Sequence, residues 1–186
     1  MSPPRLAHDE PRRPAEAPRK PRKQPLTGVE PGKGHARLEP LTGLWDTSTR
    51  VFADLGSRPV EVDGSVEKSW VLGGRFIRED LAGIGTDDLP YMGLGFIGYD
   101  AARCVYQSVW MSTGSTAMST ATGTIDPAGK VLVLIGEEID HGRGAPRRFR
   151  AELRIESPDT HVLMQAYVGE GGIYVPGFQI QYRRTG

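Results

Sequence analysis

The 186-residue chain has one cysteine and four histidines, and nothing in it approaches the ~20 consecutive apolar residues of a membrane helix. A single thiol, Cys104, excludes an intramolecular disulfide and favours a reducing compartment. His35, His141 and His161 are too scattered for metal-ligand spacing, so no metal site is expected. The N-terminus is basic but lacks the apolar stretch of a signal peptide, which makes a cytoplasmic location the expectation. No Gly-x-Ser-x-Gly elbow is present, excluding an α/β-hydrolase triad. An excess of one charge is also missing, since 23 Lys/Arg stand against 23 Asp/Glu. That balance demands neither a nucleic acid nor a membrane as partner.

The balance conceals a split. Nine of the 15 prolines fall in the first forty residues, and up to Arg37 nine basic residues face four acidic ones. Residues 1–34 contain almost no large apolar side chain. Such a segment cannot bury enough surface to offset its chain entropy, so it reads as a disordered, basic, Pro-rich tail ahead of a folded domain over 35–186. The run Pro18-Arg19-Lys20-Pro21-Arg22-Lys23 would suit an anionic surface, but a solvated extended tail is the favoured reading.

From Gly43 onward, strand follows strand. The segments are Leu44–Ala53, Gly64–Leu72, Arg75–Ala82, Tyr91–Tyr99, Cys104–Met111, Met118–Ile125, Val131–Ile139, Arg147–Glu156, Val162–Val168 and Val175–Arg183. In Phe149-Arg150-Ala151-Glu152-Leu153-Arg154-Ile155 the apolar residues alternate with charged ones, giving one buried and one wet face. Gly73-Gly74, Asp126-Pro127-Ala128-Gly129 and Ser157-Pro158-Asp159 mark turns, as do the segments at 55–59 and 141–146. Only His35–Leu41 reads as helical. About ten short strands joined by hairpins predict an all-β, antiparallel up-and-down barrel, which leaves no exposed edges and has room for a small ligand inside.

Several segments also resemble known barrels. Gly43-Leu44-Trp45 is similar to the Gly-x-Trp opening of lipocalin-like (calycin) barrels, where the Trp packs across the closed end. Trp70-Val71-Leu72-Gly73-Gly74-Arg75-Phe76-Ile77-Arg78-Glu79 resembles the most distinctive stretch of the DUF1579 family. The likeness continues through Gly93-Leu94-Gly95-Phe96-Ile97-Gly98-Tyr99-Asp100, Tyr106–Trp110 and on to Glu137-Glu138, covering roughly 35–184. It implies a calycin-type barrel of the kind compared with lipocalins and nitrobindin-type haem proteins, and it implies no activity. Haem would lack its usual axial ligand, because the last strand holds no histidine, so no cofactor is expected.

Gly93, Gly95 and Gly98 formally match Gly-x-Gly-x-x-Gly. The dinucleotide reading fails because no helix follows and no acidic residue stands about twenty positions on. Glycines in a strand more often permit curvature or close approach. Cys104 reads as a small core residue rather than a nucleophile. Glu138 and Asp140 share one strand face, and Glu137 and His141 the other, which suits a solvated hairpin mouth better than a metal site. In Arg75–Asp80, alternation points either Arg78 and Asp80 or Arg75 and Glu79 inward, where a charge needs a partner or a ligand.

The polar-tipped aromatics suggest a pocket rather than a dry core. Candidate ligand-binding residues are therefore Trp45, Trp70, Arg78, Glu79, Tyr99, Tyr106 and Trp110. Candidate acid–base residues are Glu79, Tyr106 and Glu138. The first functional reading is a module binding a small hydrophobic molecule. The alternatives are a cyclase or isomerase acting on a hydrophobic metabolite, and a filled structural barrel, with a homodimer compatible with any of them.

Overall fold

The computed structural model describes residues 30–53, 58–140 and 144–185. Most of the N-terminal tail and parts of two expected turns, at 55–57 and 141–143, lie outside these residues. Ten strands follow a short helical segment: β1 Gly43–Val51, β2 Val60–Val71, β3 Phe76–Ile84, β4 Pro90–Asp100, β5 Val105–Ser112, β6 Ser119–Ile125, β7 Val131–Asp140, β8 Ala145–Ser157, β9 Thr160–Val168 and β10 Tyr174–Arg184. Each strand pairs antiparallel with its neighbours in sequence, and β1 pairs with β10 from Trp45↔Arg184 to Val51↔Phe178, closing the barrel. The expected up-and-down barrel is what the chain forms. No helix among the described residues is long and apolar enough to cross a membrane.

The expected two-turn helix is broken in two, into α1 (Lys33–Ala36) and a 3-10 turn over Glu39–Leu41. Pro40 explains the break. In a continuous α-helix its ring would clash with the carbonyl of Ala36, four residues back, and it has no N–H to donate. The segment nevertheless seals one end of the barrel, with Leu38 and Leu41 almost fully buried. It also starts before the expected domain boundary, since Tyr106 Oη donates to the Gly34 carbonyl at 2.9 Å.

Gly43 and Trp45 secure that closed end. Gly43 has φ +123, and the space a Cβ would fill is taken by the Arg184 guanidinium. Arg184 donates to the carbonyls of Thr42 (2.8 Å), Pro158 (3.1 Å) and Pro40 (3.3 Å), and it stacks 4.1 Å over the Trp45 ring. Trp45 Nε1 in turn donates to the Leu41 carbonyl at 3.0 Å. One guanidinium thus joins the last strand to the plug, the first strand and the β8–β9 turn.

Alternation decides the rest. Phe149, Ala151 and Leu153 of β8 face inward and are buried, as their spacing predicted. The glycines of β4 provide room for rings. Trp110 of β5 lies over Gly93 and Gly95 on the inner face, and Phe76 of β3 over Gly98 on the other face. Any Cβ at these positions would collide with a ring, which explains the Gly-x-Gly-x-x-Gly spacing without a nucleotide. Cys104 departs from expectation. It sits exposed in the β4–β5 turn with φ 55, outside the core, because the chain reverses one residue later than the apolar pattern suggested.

Arg184→Ala is expected to lower unfolding free energy by about 2 kcal/mol, since it strips charge-assisted hydrogen bonds from three carbonyls. Urea denaturation followed by near-ultraviolet circular dichroism measures this. An unchanged midpoint would mean the closure does not depend on the guanidinium.

Candidate functional site

Above the plug the barrel is hollow. A cavity of about 580 Å³ runs from the middle of the barrel to the end opposite the plug. Its wall is mostly apolar and includes Val66, Leu81, Ile97, Leu134, Leu163 and Ile180. The open end also carries exposed apolar side chains: Ile84, Leu89, Met118, Ile139 and Ile173 all stand there. A cavity of this size does not match the alternative of a filled structural barrel.

Toward the plug the cavity meets a group of polar side chains. Lys68 faces inward from β2, opposite Glu79 of β3 in register, and is only 2% exposed. Its Nζ lies 3.4 Å from Glu79 Oε1, 3.3 Å from His161 Nε2 and 4.1 Å from the centre of the Tyr182 ring. His161 is held between two rings, stacked on Tyr182 at 4.2 Å and edge-on to Trp45 at 4.2 Å. Burial disfavours the charged forms of Lys68, His161 and Tyr182. It lowers Lys68 while the Glu79 carboxylate opposes that shift, and it raises Tyr182 well above the usual phenol range, with Glu79 adding to the effect. Burial, reinforced by the Lys68 and Arg184 charges, takes His161 down to about 2, leaving a neutral ring that accepts from Lys68.

A second polar group stands at the open end. Arg147 Nη2 donates to Glu138 Oε1 at 2.8 Å and stacks 3.4 Å over the Tyr167 ring. Gln165 Nε2 donates to Glu138 Oε2 and to Tyr167 Oη, each at 3.2 Å. Burial and the neighbouring Glu138 push the Tyr167 hydroxyl up to about 12. Asp140 also approaches Arg147, at 3.9 Å, so Glu138 and Asp140 do share a face.

Among the candidates read from the sequence, Glu79, Trp110 and Glu138 line the cavity. The other five stand elsewhere. Trp45 is buried in the closed end, and Trp70 donates to Glu39 Oε2 at 2.7 Å beside the plug. Tyr99 and Tyr106 pack against each other and the helical segment, at 4.9 Å between rings. The polar tips of Tyr106, Trp45 and Trp70 are satisfied by the plug rather than by a ligand, because the plug occupies the space a pocket would have needed. Arg78 points outward and pairs with Asp80 at 2.6 Å, which settles the open alternation in favour of Glu79 inside.

Lys68 escaped the sequence reading although its signal was present. It occupies an inward position between Val66 and Trp70, where alternation calls for an apolar residue. Arg147, Gln165 and Tyr167 were missed because a polar residue near a strand end looks solvated until closure turns it inward.

Two described histidines, His35 and His161, are buried, and neither lines the cavity. His161 Nε2 already engages Lys68, so these residues do not fit an axial haem ligand. No group of three or more His, Cys, Asp or Glu among the described residues is placed to hold a metal.

Two expectations follow. Trp45→Ala should cost about 3–5 kcal/mol of stability, as loss of a fully buried aromatic does. Trp110→Ala, which removes a ring from the cavity wall, should cost less than half of that in the same urea titration. His161 is the largest histidine contribution to the pH dependence, and His35, lowered by burial and by the nearby Arg75, adds to it in the same direction. The unfolded His161 ring takes up a proton below about pH 6.5, whereas the folded ring refuses one until about 2. Stability is thus fully present above 6.5 and lost as pH falls below it, at up to about 1.4 kcal/mol per pH unit. His161→Gln keeps an acceptor for Lys68 and should flatten that slope between pH 6.5 and 4.5. Parallel profiles for the two proteins would contradict the assignment.

The sequence profile of a family described as "protein of unknown function (DUF1579)" matches residues 30–184. No curated protein matches the chain in sequence. Among solved structures, the chain resembles Rv2717c from M. tuberculosis, with 17% identity and a TM-score of 0.61 over 83% of this chain and 99% of that one. It is similar in fold to the S-type phycobiliprotein lyase CPES from Guillardia theta, with 13% identity and a TM-score of 0.53 over 84% and 99%. These two likenesses carry the fold, and the profile, spanning the whole barrel from the residues before its plug to β10, carries the family: the chain belongs to DUF1579.

Proposed function

We propose that the barrel binds one small, mostly apolar molecule in its cavity, entering through the open end and lying against Trp110. The observation that carries this reading is the cavity itself, at about 580 Å³ with a mostly apolar wall and its charged groups toward its two ends. That volume and composition fall within the range of small-molecule sites. The wall offers burial at about 25 cal/mol per Å² of ligand surface, and the polar ends fix orientation. Lys68 and Glu79 lie at the inner end, and Glu138, Gln165 and Tyr167 at the outer end.

An environment-sensitive dye such as Nile red should bind the full chain one to one and brighten, and apolar alcohols or acids of matching size should displace it. Ser108 lines the cavity beside Ile97 and Ala121. Ser108→Phe therefore fills the space, and it is expected to weaken dye binding at least tenfold while leaving the thermal midpoint within a few degrees of wild type. Unaltered dye binding by this variant would mean that the dye sits outside the barrel and would sink the proposal.

A further inference from the structure

Lys68 has no evident structural need to be a lysine. An inward methylene chain at that position would pack as well in Leu or Met, and a buried ion pair seldom adds stability over apolar residues of the same volume. The chain nevertheless places an amine where the cavity ends, with a carboxylate on one side and a neutral imidazole on the other. The groups facing it are Glu79 from β3, His161 from β9 and Tyr182 from β10.

The charges at this end decide which ligand chemistry suits it. A carboxylate ligand would set a second negative charge beside Glu79 against one amine, and His161 does not take up a proton to offset it. An additional ammonium would repel Lys68. An uncharged carbonyl group adds no charge and is attacked by an amine. We infer that Lys68 captures an apolar aldehyde or ketone as an imine, a step that rests on the cavity-binding reading above.

The step is balanced. Lys68 Nζ passes a proton to Glu79 and attacks the carbonyl carbon, forming the C–N bond, while the carbonyl oxygen takes that proton back from Glu79. The resulting carbinolamine loses its hydroxyl, protonated through the same carboxylate, as water, and the nitrogen's second proton serves that departure. The product is an iminium that keeps the single positive charge of the lysine. No oxidant or reductant is needed, and the iminium inherits the Glu79 carboxylate at the place the ammonium held. Because the buried charge is the same before and after, capture requires no new desolvation. Burial also lowers Lys68 from the range of an exposed lysine, which leaves more of it as the free amine that reacts. The Lys68 stem is flexible enough for its amine to swing from Tyr182 toward the cavity.

The test is reductive trapping on the full chain at neutral pH. Aliphatic, aryl and polyene aldehydes are each incubated with the protein and cyanoborohydride, and tryptic peptides are mapped over time. Lys33 and Lys130 are exposed and serve as internal references. At least one aldehyde is expected to alkylate Lys68 ten or more times faster than either reference. The matching alcohol, which binds without reacting, should slow labelling at Lys68 alone, and Glu79→Gln should slow labelling at Lys68 while leaving that of Lys33 and Lys130 unchanged. Labelling of Lys68 no faster than of Lys33 and Lys130, with dye still displaced by the alcohols, would overturn the imine and leave the binding reading standing. If neither alcohols nor aldehydes displace the dye, both readings fall together. Lys68→Met should abolish the fast labelling, and because the mapping is done on the wild-type chain, the conclusion does not depend on that variant folding.

Discussion

A ten-stranded sheet has no exposed edge only if its first and last strands meet, and in this chain the ladder from Trp45↔Arg184 to Val51↔Phe178 makes that meeting and one guanidinium anchors its plugged end. Arg184, the last residue of β10, reaches the carbonyls before β1, those of the β8–β9 turn and the face of Trp45. Gly43 makes this possible, since its positive φ and missing Cβ leave the space the guanidinium fills. Once the ring of strands is closed and its end plugged by Leu38 and Leu41, the inward alternation of every strand has to share a single interior. The cavity is what remains, because the inward positions of β4 and β6 are partly glycine and alanine, and those of β5 are partly serine.

Closure also sorts the polar residues. Those at the plugged end find fixed partners: Trp45 with Leu41, Trp70 with Glu39 and Tyr106 with Gly34. Those above the plug do not face a packed core, and their partners are one another. Lys68 and Glu79 pair across β2 and β3, and Glu138, Arg147, Gln165 and Tyr167 form a group across β7, β8 and β9. The result is a mostly apolar tube with a charged floor and a polar lip, in which an uncharged or weakly polar molecule loses less hydration than an ionic one.

The barrel was legible in the sequence because period-two alternation and turn residues are local signals, and ten of them in a row allow few architectures. Phe149, Ala151 and Leu153 show this well. The site was legible only where a residue's position along its strand did not matter. Glu79, Trp110 and Glu138 were found since they are chemically conspicuous and happen to lie above the plug. Trp45, Trp70, Tyr99 and Tyr106 were read as pocket residues because alternation tells which face a side chain takes but not how far along the barrel it stands. That depth depends on where residues 33–41 enter the end of the barrel, a contact between segments distant in sequence. Lys68 was overlooked for the opposite reason: a single lysine among apolar positions looks like an ordinary surface residue until register sets it opposite Glu79.

The central claim is that the closed barrel encloses a site for one small apolar molecule. Native mass spectrometry of the full chain, purified gently from the organism that makes it and sprayed before and after denaturation, tests this most directly. The account predicts a one-to-one adduct of small mass on the folded chain that is absent from Ser108→Phe prepared in the same way. Equal adducts on both proteins, or a bare wild-type chain that also takes up no alcohol, acid or aldehyde when these are added, would contradict it.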